Sequence, residues 1–129
     1  AFSDPPMNLM DAEVATGGVR VAGGAVWPVR LPAGAPRHLT LGLRAGGLRE
    51  VSRDGDVRID ASVALAEIAG SDTFVHVHSP VGELVAQLAG VHNLALASSI
   101  ALYLDPRQLF VFDASGPLVS APTRRGGSV

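Results

Sequence analysis

Two histidines separated by one residue, His76 and His78 in the stretch "FVHVH", are the first side chains whose types and spacing could do chemistry. On a strand, positions i and i+2 point to the same face, so the two imidazoles could share a metal ion, with His38 or His92 as a third ligand. A plainer reading places them on the wetter face of a strand whose Phe74, Val75 and Val77 help form the core, although strict alternation puts Phe74 on the histidine face. Glu67 and Asp72 flank the turn Ala69-Gly70-Ser71, either as a pair for acid–base work or as carboxylates that cap and solvate a β-turn. Ser98 or Ser99, any histidine and Asp105 or Asp113 make a triad on paper, but no G-x-S-x-G elbow accompanies them. The absence of cysteine excludes disulfides, thiolate metal sites and a thiol nucleophile. All ten basic residues are arginine, so no G-x-x-x-x-G-K-[ST] phosphate loop exists and ATP cannot be held in that way. Gly23-Gly24 and Gly46-Gly47 lack the strand–turn–helix context of a phosphate cradle and read as turns.

The elements that must position these residues belong to a short chain. Its 129 residues suit one compact domain, or two small half-barrels sharing a core. An apolar fraction of 47% is enough to build that core, yet no apolar run approaches the roughly 20 residues of a spanning helix. Charge is uneven: seven arginines meet six carboxylates over residues 1–58, whereas Arg107 alone meets six over 59–113. Nucleic-acid binding needs a concentrated basic face, so no nucleic-acid partner is expected.

Short β-type segments at close spacing, cut by Gly, Pro and Asp, dominate the chain and predict an all-β small barrel or sandwich. Val19-Arg20-Val21 and Ala25-Val26-Trp27 read as a meander with tight turns. His38 to Leu43 alternates, placing Leu39, Leu41 and Leu43 on one face. Val57 to Ile68 is one long bent strand or a strand leading into a helical turn. Strands follow at Thr73–Val77, Leu84–Leu88, Ile100–Leu104 and Leu109–Phe112, and helix has room only around Arg44–Leu48 and Val91–Ala97. The turn Arg53-Asp54-Gly55-Asp56 links two halves. The segment 121–129 reads as a disordered tail.

Trp27, the sole tryptophan, is either core or an interface anchor. Phe110 and Phe112 share one strand face while Leu109 and Val111 occupy the other, which implies burial on both sides or an apposed partner.

Four motifs in order then define a resemblance that covers nearly the whole chain. They are "SDPPMNLM" at Ser3–Met10, "LGLRAGGL" at Leu41–Leu48, "EIAGSDTFVHV" at Glu67–Val77 and "LDPRQLFVFDASGPLV" at Leu104–Val119. Together they resemble the stretch that follows the ATPase domain in the nucleotide-binding subunits of bacterial carbohydrate ABC importers, of the maltose and glycerol-3-phosphate type. Where that family has Pro-Gly-Asp before its penultimate strand, this chain reads Leu96-Ala97-Ser98.

The resemblance implies an OB-fold-like barrel (a TOBE domain) with short helical turns and no catalysis of its own. It makes residues 1–10 a hinge from an absent ATPase domain and 11–120 the regulatory domain, with a junction near 53–56 if there are two half-barrels. It implies no cofactor in this segment, ATP and Mg²⁺ being held by the absent domain. The partners implied are a second subunit in a homodimer, the membrane permease subunits and a cytoplasmic regulator, with the subunit peripheral on the cytoplasmic face of the membrane. By motif position, Trp27, Gly42, Glu67 and Phe112 become the interface or regulator-surface residues. The alternative is a small-ligand module for an oxyanion or metabolite, with a cleft near His76, His78 and the Arg44 turn.

Overall fold

Alternation starts the fold: Asn8, Met10 and Ala12 turn inward along a first strand, β1 (Met7–Ala15), while Leu9 and Asp11 face solvent. The computed structural model describes residues 7–122. The hinge expected over residues 1–10 therefore runs into a strand. Residues 1–6 lie outside the described residues, and Met7–Met10 pair in register with Leu41–Arg44 because Asn8 and Met10 have a core to enter. Of the expected tail, Ala121 and Pro122 carry no regular structure and 123–129 lie outside the described residues.

The predicted meander forms as β2 (Gly18–Val21) and β3 (Val26–Trp27), its turn closed by Val21 N–H donating to the Ala25 carbonyl at 2.9 Å. β4 (His38–Arg44) buries Leu39, Leu41 and Leu43 and runs into a 3-10 turn at Ala45–Gly47, where the sequence left room for helix. β5 (Val57–Ala69) is the long bent strand, not a strand with a helical end. Its register shifts between Val63 and Leu65, letting its first half pair with one neighbour and its second half with another. β6 (Asp72–Ser79) and β7 (Gly82–Ala89) form a full-length hairpin.

No helix forms over Val91–Ala97, because other groups take its backbone bonds. The fully buried Thr73 hydroxyl donates to the Gly90 carbonyl at 2.8 Å and accepts from His92 N–H at 3.0 Å. Ala97 N–H donates to the Val63 carbonyl at 2.7 Å. β8 (Ser99–Leu104), a 3-10 turn at Pro106–Gln108, β9 (Phe110–Asp113) and β10 (Leu118–Ser120) complete the chain.

The strands form a six-stranded sheet, ordered β10-β9-β4-β1-β2-β3, and a four-stranded sheet, ordered β7-β6-β5-β8. The turn at 53–56 does separate β1–β4 from β5–β8, but β9 and β10 return to the first sheet. One apolar cluster, with Leu39, Leu41 and Leu43 on one side and Val75, Val77, Leu102 and Leu104 on the other, fills the space between. Each such side chain contributes about 1.5–3 kcal/mol by leaving water. Two seams join the sheets. At one, Arg49, in the segment that links the two sheets, exchanges backbone hydrogen bonds with Tyr103 of β8 at 2.9 and 2.7 Å. At the other, the Asn8 carboxamide bonds both backbone groups of Val85, accepting from N–H at 2.7 Å and donating to the carbonyl at 2.9 Å.

The Arg49 seam carries an ion pair with a pH consequence. The Asp56 side chain, 2% exposed, accepts from the Arg49 guanidinium at 2.9 Å and from Arg53 N–H at 2.8 Å. The Arg49 bond first, and the Arg53 N–H after it, hold the carboxyl below the usual carboxylate range against the opposing pull of burial. A carboxyl depressed on folding contributes stability that is complete above its unfolded value, about pH 4, and is lost as pH falls through the lower folded value. Asp56→Asn is expected to cost about 2 kcal/mol at pH 7, the scale of a hydrogen bond to a charged group. Urea midpoints at pH 7 and pH 3 check this: the gap between wild type and variant should narrow at pH 3, and an unchanged gap would count against the ion pair.

Candidate functional site

β6 sets its histidines by alternation. Thr73, Val75 and Val77 enter the core, so Phe74, His76 and His78 share the outer face. Each imidazole faces a carboxylate: His76 Nε2 lies 3.1 Å from Glu67 Oε1 and His78 Nδ1 lies 3.4 Å from Glu83 Oε2. His92 faces Glu50 at 3.6 Å, and His38 opens β4 on the other sheet. The four imidazoles do not converge, and among the described residues no group of three or more His, Asp and Glu side chains is placed to hold a metal ion.

The paper triad is not assembled. Asp105 caps the second 3-10 turn, where Arg107, donating from its guanidinium and its backbone, holds the carboxyl low. Asp113 accepts from Ser115 N–H and its hydroxyl, the backbone bond being the larger cause of its lowered pKa. Ser98 Oγ donates to the Ala95 carbonyl. Of the two carboxylates flanking the β5–β6 turn, Glu67 faces His76, whereas Asp72 accepts from Gln87 Nε2 at 2.8 Å.

Trp27 is 3% exposed, so it belongs to the core and presents no anchor at the surface. The β2–β3 turn carries its side chain between the sheets, next to Val19, its register partner. Glu67 is exposed on the four-stranded sheet, far in the topology from the other candidates.

Gly42 and Phe112 are brought together on the outer face of the six-stranded sheet. Leu109 and Val111 turn into the core and leave Phe110 and Phe112 half-buried outside, their rings stacked at 6.3 Å between centroids. Gly42 lies between Leu9 and Phe110 in one cross-strand row, and Thr40 between Asp11 and Phe112 in the next. A Cβ on Gly42 would sit 2.8 Å from Met7 Sδ and 3.1 Å from Phe112 Cε2, so glycine lets these two side chains close over the strand. Leu9, 63% exposed, and Leu118, 55% exposed, extend the apolar surface to both sides. The Arg44 guanidinium stands over the Phe110 ring at 5.3 Å, a cation–π contact at one end of the patch. Sequence reading missed Met7, Leu9 and Leu118 because β1 and β10 were not recognised as strands. The alternation in Met7–Ala12 was the available signal.

Among the described residues, His78 borders an open cleft of 710 Å³ whose lining includes neither His76 nor Arg44, which lies on the other sheet.

Fold and surface define the class, a small all-β, OB-fold-like barrel domain with an exposed apolar face. The cytoplasmic molybdate-binding protein ModG, solved with molybdate bound, has this fold: its TM-score is 0.66 over 82% of this chain and 95% of that one, at 11% identity. No family model matches the chain. Over 92% of its length the chain is 34% identical to the sn-glycerol-3-phosphate import ATP-binding protein UgpC of Chromohalobacter salexigens. Over 87% it is 32% identical to the protein of the same name from Paracoccus denitrificans. It spans about a third of the length of these relatives, 33% and 31%. The chain is thus similar to the C-terminal, TOBE-type domain of ABC importer ATP-binding subunits, as its four motifs implied. No helix of the described residues is long and apolar enough to cross a membrane.

Proposed function

We propose that the chain is the non-catalytic regulatory and subunit-pairing domain of the ATP-binding subunit of a carbohydrate-type ABC importer. Its outer six-stranded face meets the same face of a second copy. The apolar patch joining Gly42, Phe110 and Phe112 to Leu9 carries the reading, since exposed apolar surface of this kind marks interaction sites. The flanking charges favour a second copy over an unlike partner. Arg44 stands one cross-strand row to one side of the Leu9–Gly42–Phe110 row and Asp11 one row to the other. A two-fold axis through the middle row would lay each arginine over its partner's aspartate, the self-complementarity of an isologous contact.

On this reading ATP and Mg²⁺ belong to another domain of the subunit, and association with membrane permease subunits places it on the cytoplasmic face of the membrane. Likeness to the fold of ModG favours a second reading, a small-ligand module for an oxyanion.

Sedimentation equilibrium over a broad concentration range tests the pairing. A reversible dimer that Leu9→Glu weakens at least tenfold is the expected result. A strict monomer would overturn pairing through this face and leave it to a cytoplasmic regulator, and ATP turnover by the purified chain would overturn the non-catalytic reading.

A further inference from the structure

We propose that the cleft between residues 28–30, the 3-10 turn at Pro106–Gln108 and the end of β10 binds a small organic anion with an apolar body. The cleft measures 420 Å³, within the roughly 300–1,000 Å³ of small-molecule sites. Its lining joins apolar to polar surface: Pro28, Val29, Pro106, Leu109 and Val111 border it beside Arg30, Arg107 and Ser120. Among the described residues its charged lining is Arg30 and Arg107, with no carboxylate.

The two arginines differ in a way that suits recognition. Arg107 is already paired with Asp105, which accepts from Nη2 at 2.9 Å and Nε at 3.1 Å, so the free donors are those of Arg30. Arg30 forms no ion pair among the described residues and is exposed, so its fork of donors is available to a carboxylate or phosphate. The larger cleft shows the contrast. There Arg58 already donates to Asp60 at 2.8 Å, and both residues line the wall, so an incoming anion would meet a carboxylate. The proline and aliphatic part of the lining gives an organic body somewhere to leave water, which a bare inorganic ion would not use.

Trp27 precedes Pro28 and is the sole tryptophan, so its emission reports on this cleft. The whole 129-residue chain is titrated with phenyl phosphate, benzoate, neutral benzamide and inorganic phosphate, followed by Trp27 emission and by calorimetry on the same samples. Saturable binding of phenyl phosphate or benzoate is expected, with benzamide and inorganic phosphate at least tenfold weaker. The ratio of the first two tells which headgroup fits. Arg30→Gln, an exposed loop substitution, is expected to weaken binding at least tenfold with an unchanged urea midpoint. Benzamide binding as well as benzoate, inorganic phosphate matching phenyl phosphate, indifference to Arg30→Gln, or no saturable heat with any probe would each overturn the assignment. Subunit pairing is read from oligomeric state, so either proposal can fail while the other stands.

Discussion

Gly18→Ala is expected to lower stability by about 4 kcal/mol, from ~1–3 kcal/mol for a disfavoured backbone conformation and ~1–3 kcal/mol for overpacking. Gly18 opens β2 with φ +153°, and a Cβ there would penetrate the Trp27 carbonyl oxygen and come 3.0 Å from Val29 N. Those partners are backbone, so no side chain can swing away. The displaced segment would be β3, which carries Trp27 into the core. A total of about 5–15 kcal/mol is typical of a domain, so such a loss leaves a folded but marginal protein, or none. Gly17→Ala is the control. Gly17 also has a positive φ, +88°, but nothing lies within 4 Å of its missing Cβ, so it is expected to lose only about 1 kcal/mol. Urea midpoints and near-ultraviolet circular dichroism of Trp27 compare the two. Equal losses would show that conformation, and not the close approach to Trp27, governs the site.

Turns and strands were legible wherever a residue type had one local job. The glycine pairs marked the meander, the Leu39–Leu43 alternation fixed which face of β4 enters the core, and the resemblance anticipated the OB-like barrel. The miss at Val91–Ala97 has a different origin. Its apolar residues looked fit for a helix, but the buried Thr73 hydroxyl, distant in sequence, claims the loop backbone. Ala97 sits where the resembled family has glycine, and it adopts φ +64°, the one non-glycine residue with positive φ among the described residues.

The candidate surface was half legible for the same reason. Motif position picked Gly42 and Phe112, which meet, and Trp27 and Glu67, which do not join them. Nothing in a motif tells whether a tryptophan beside a tight turn points inward. That depends on the second sheet lying over it, an arrangement made by residues more than thirty positions away.

Asn8 was read as part of a hinge, yet it carries the second large expected effect. β1 and β7 lie in different sheets, and the Asn8 carboxamide stands in for a strand residue by satisfying both the N–H and the carbonyl of Val85. Asn8→Ala would leave both groups partly buried and unpaired. At ~1–3 kcal/mol for each group, some of it recovered by water, the expected loss is about 3 kcal/mol. Amide exchange at Val85 should accelerate more than at Val75 and Val77, which lie deep in the core. Asn8→Asp separates the two bonds. Its carboxylate can accept from Val85 N–H but cannot donate to the carbonyl it would face, so at pH 7 it should be at least as unstable as the alanine variant. The introduced carboxyl would have its folded pKa raised by that carbonyl, so the variant gains stability relative to wild type as pH falls through the raised value, when the protonated group can donate. A loss below about 1 kcal/mol in Asn8→Ala, the size of one ordinary hydrogen bond, would mean that packing alone closes the barrel at this seam.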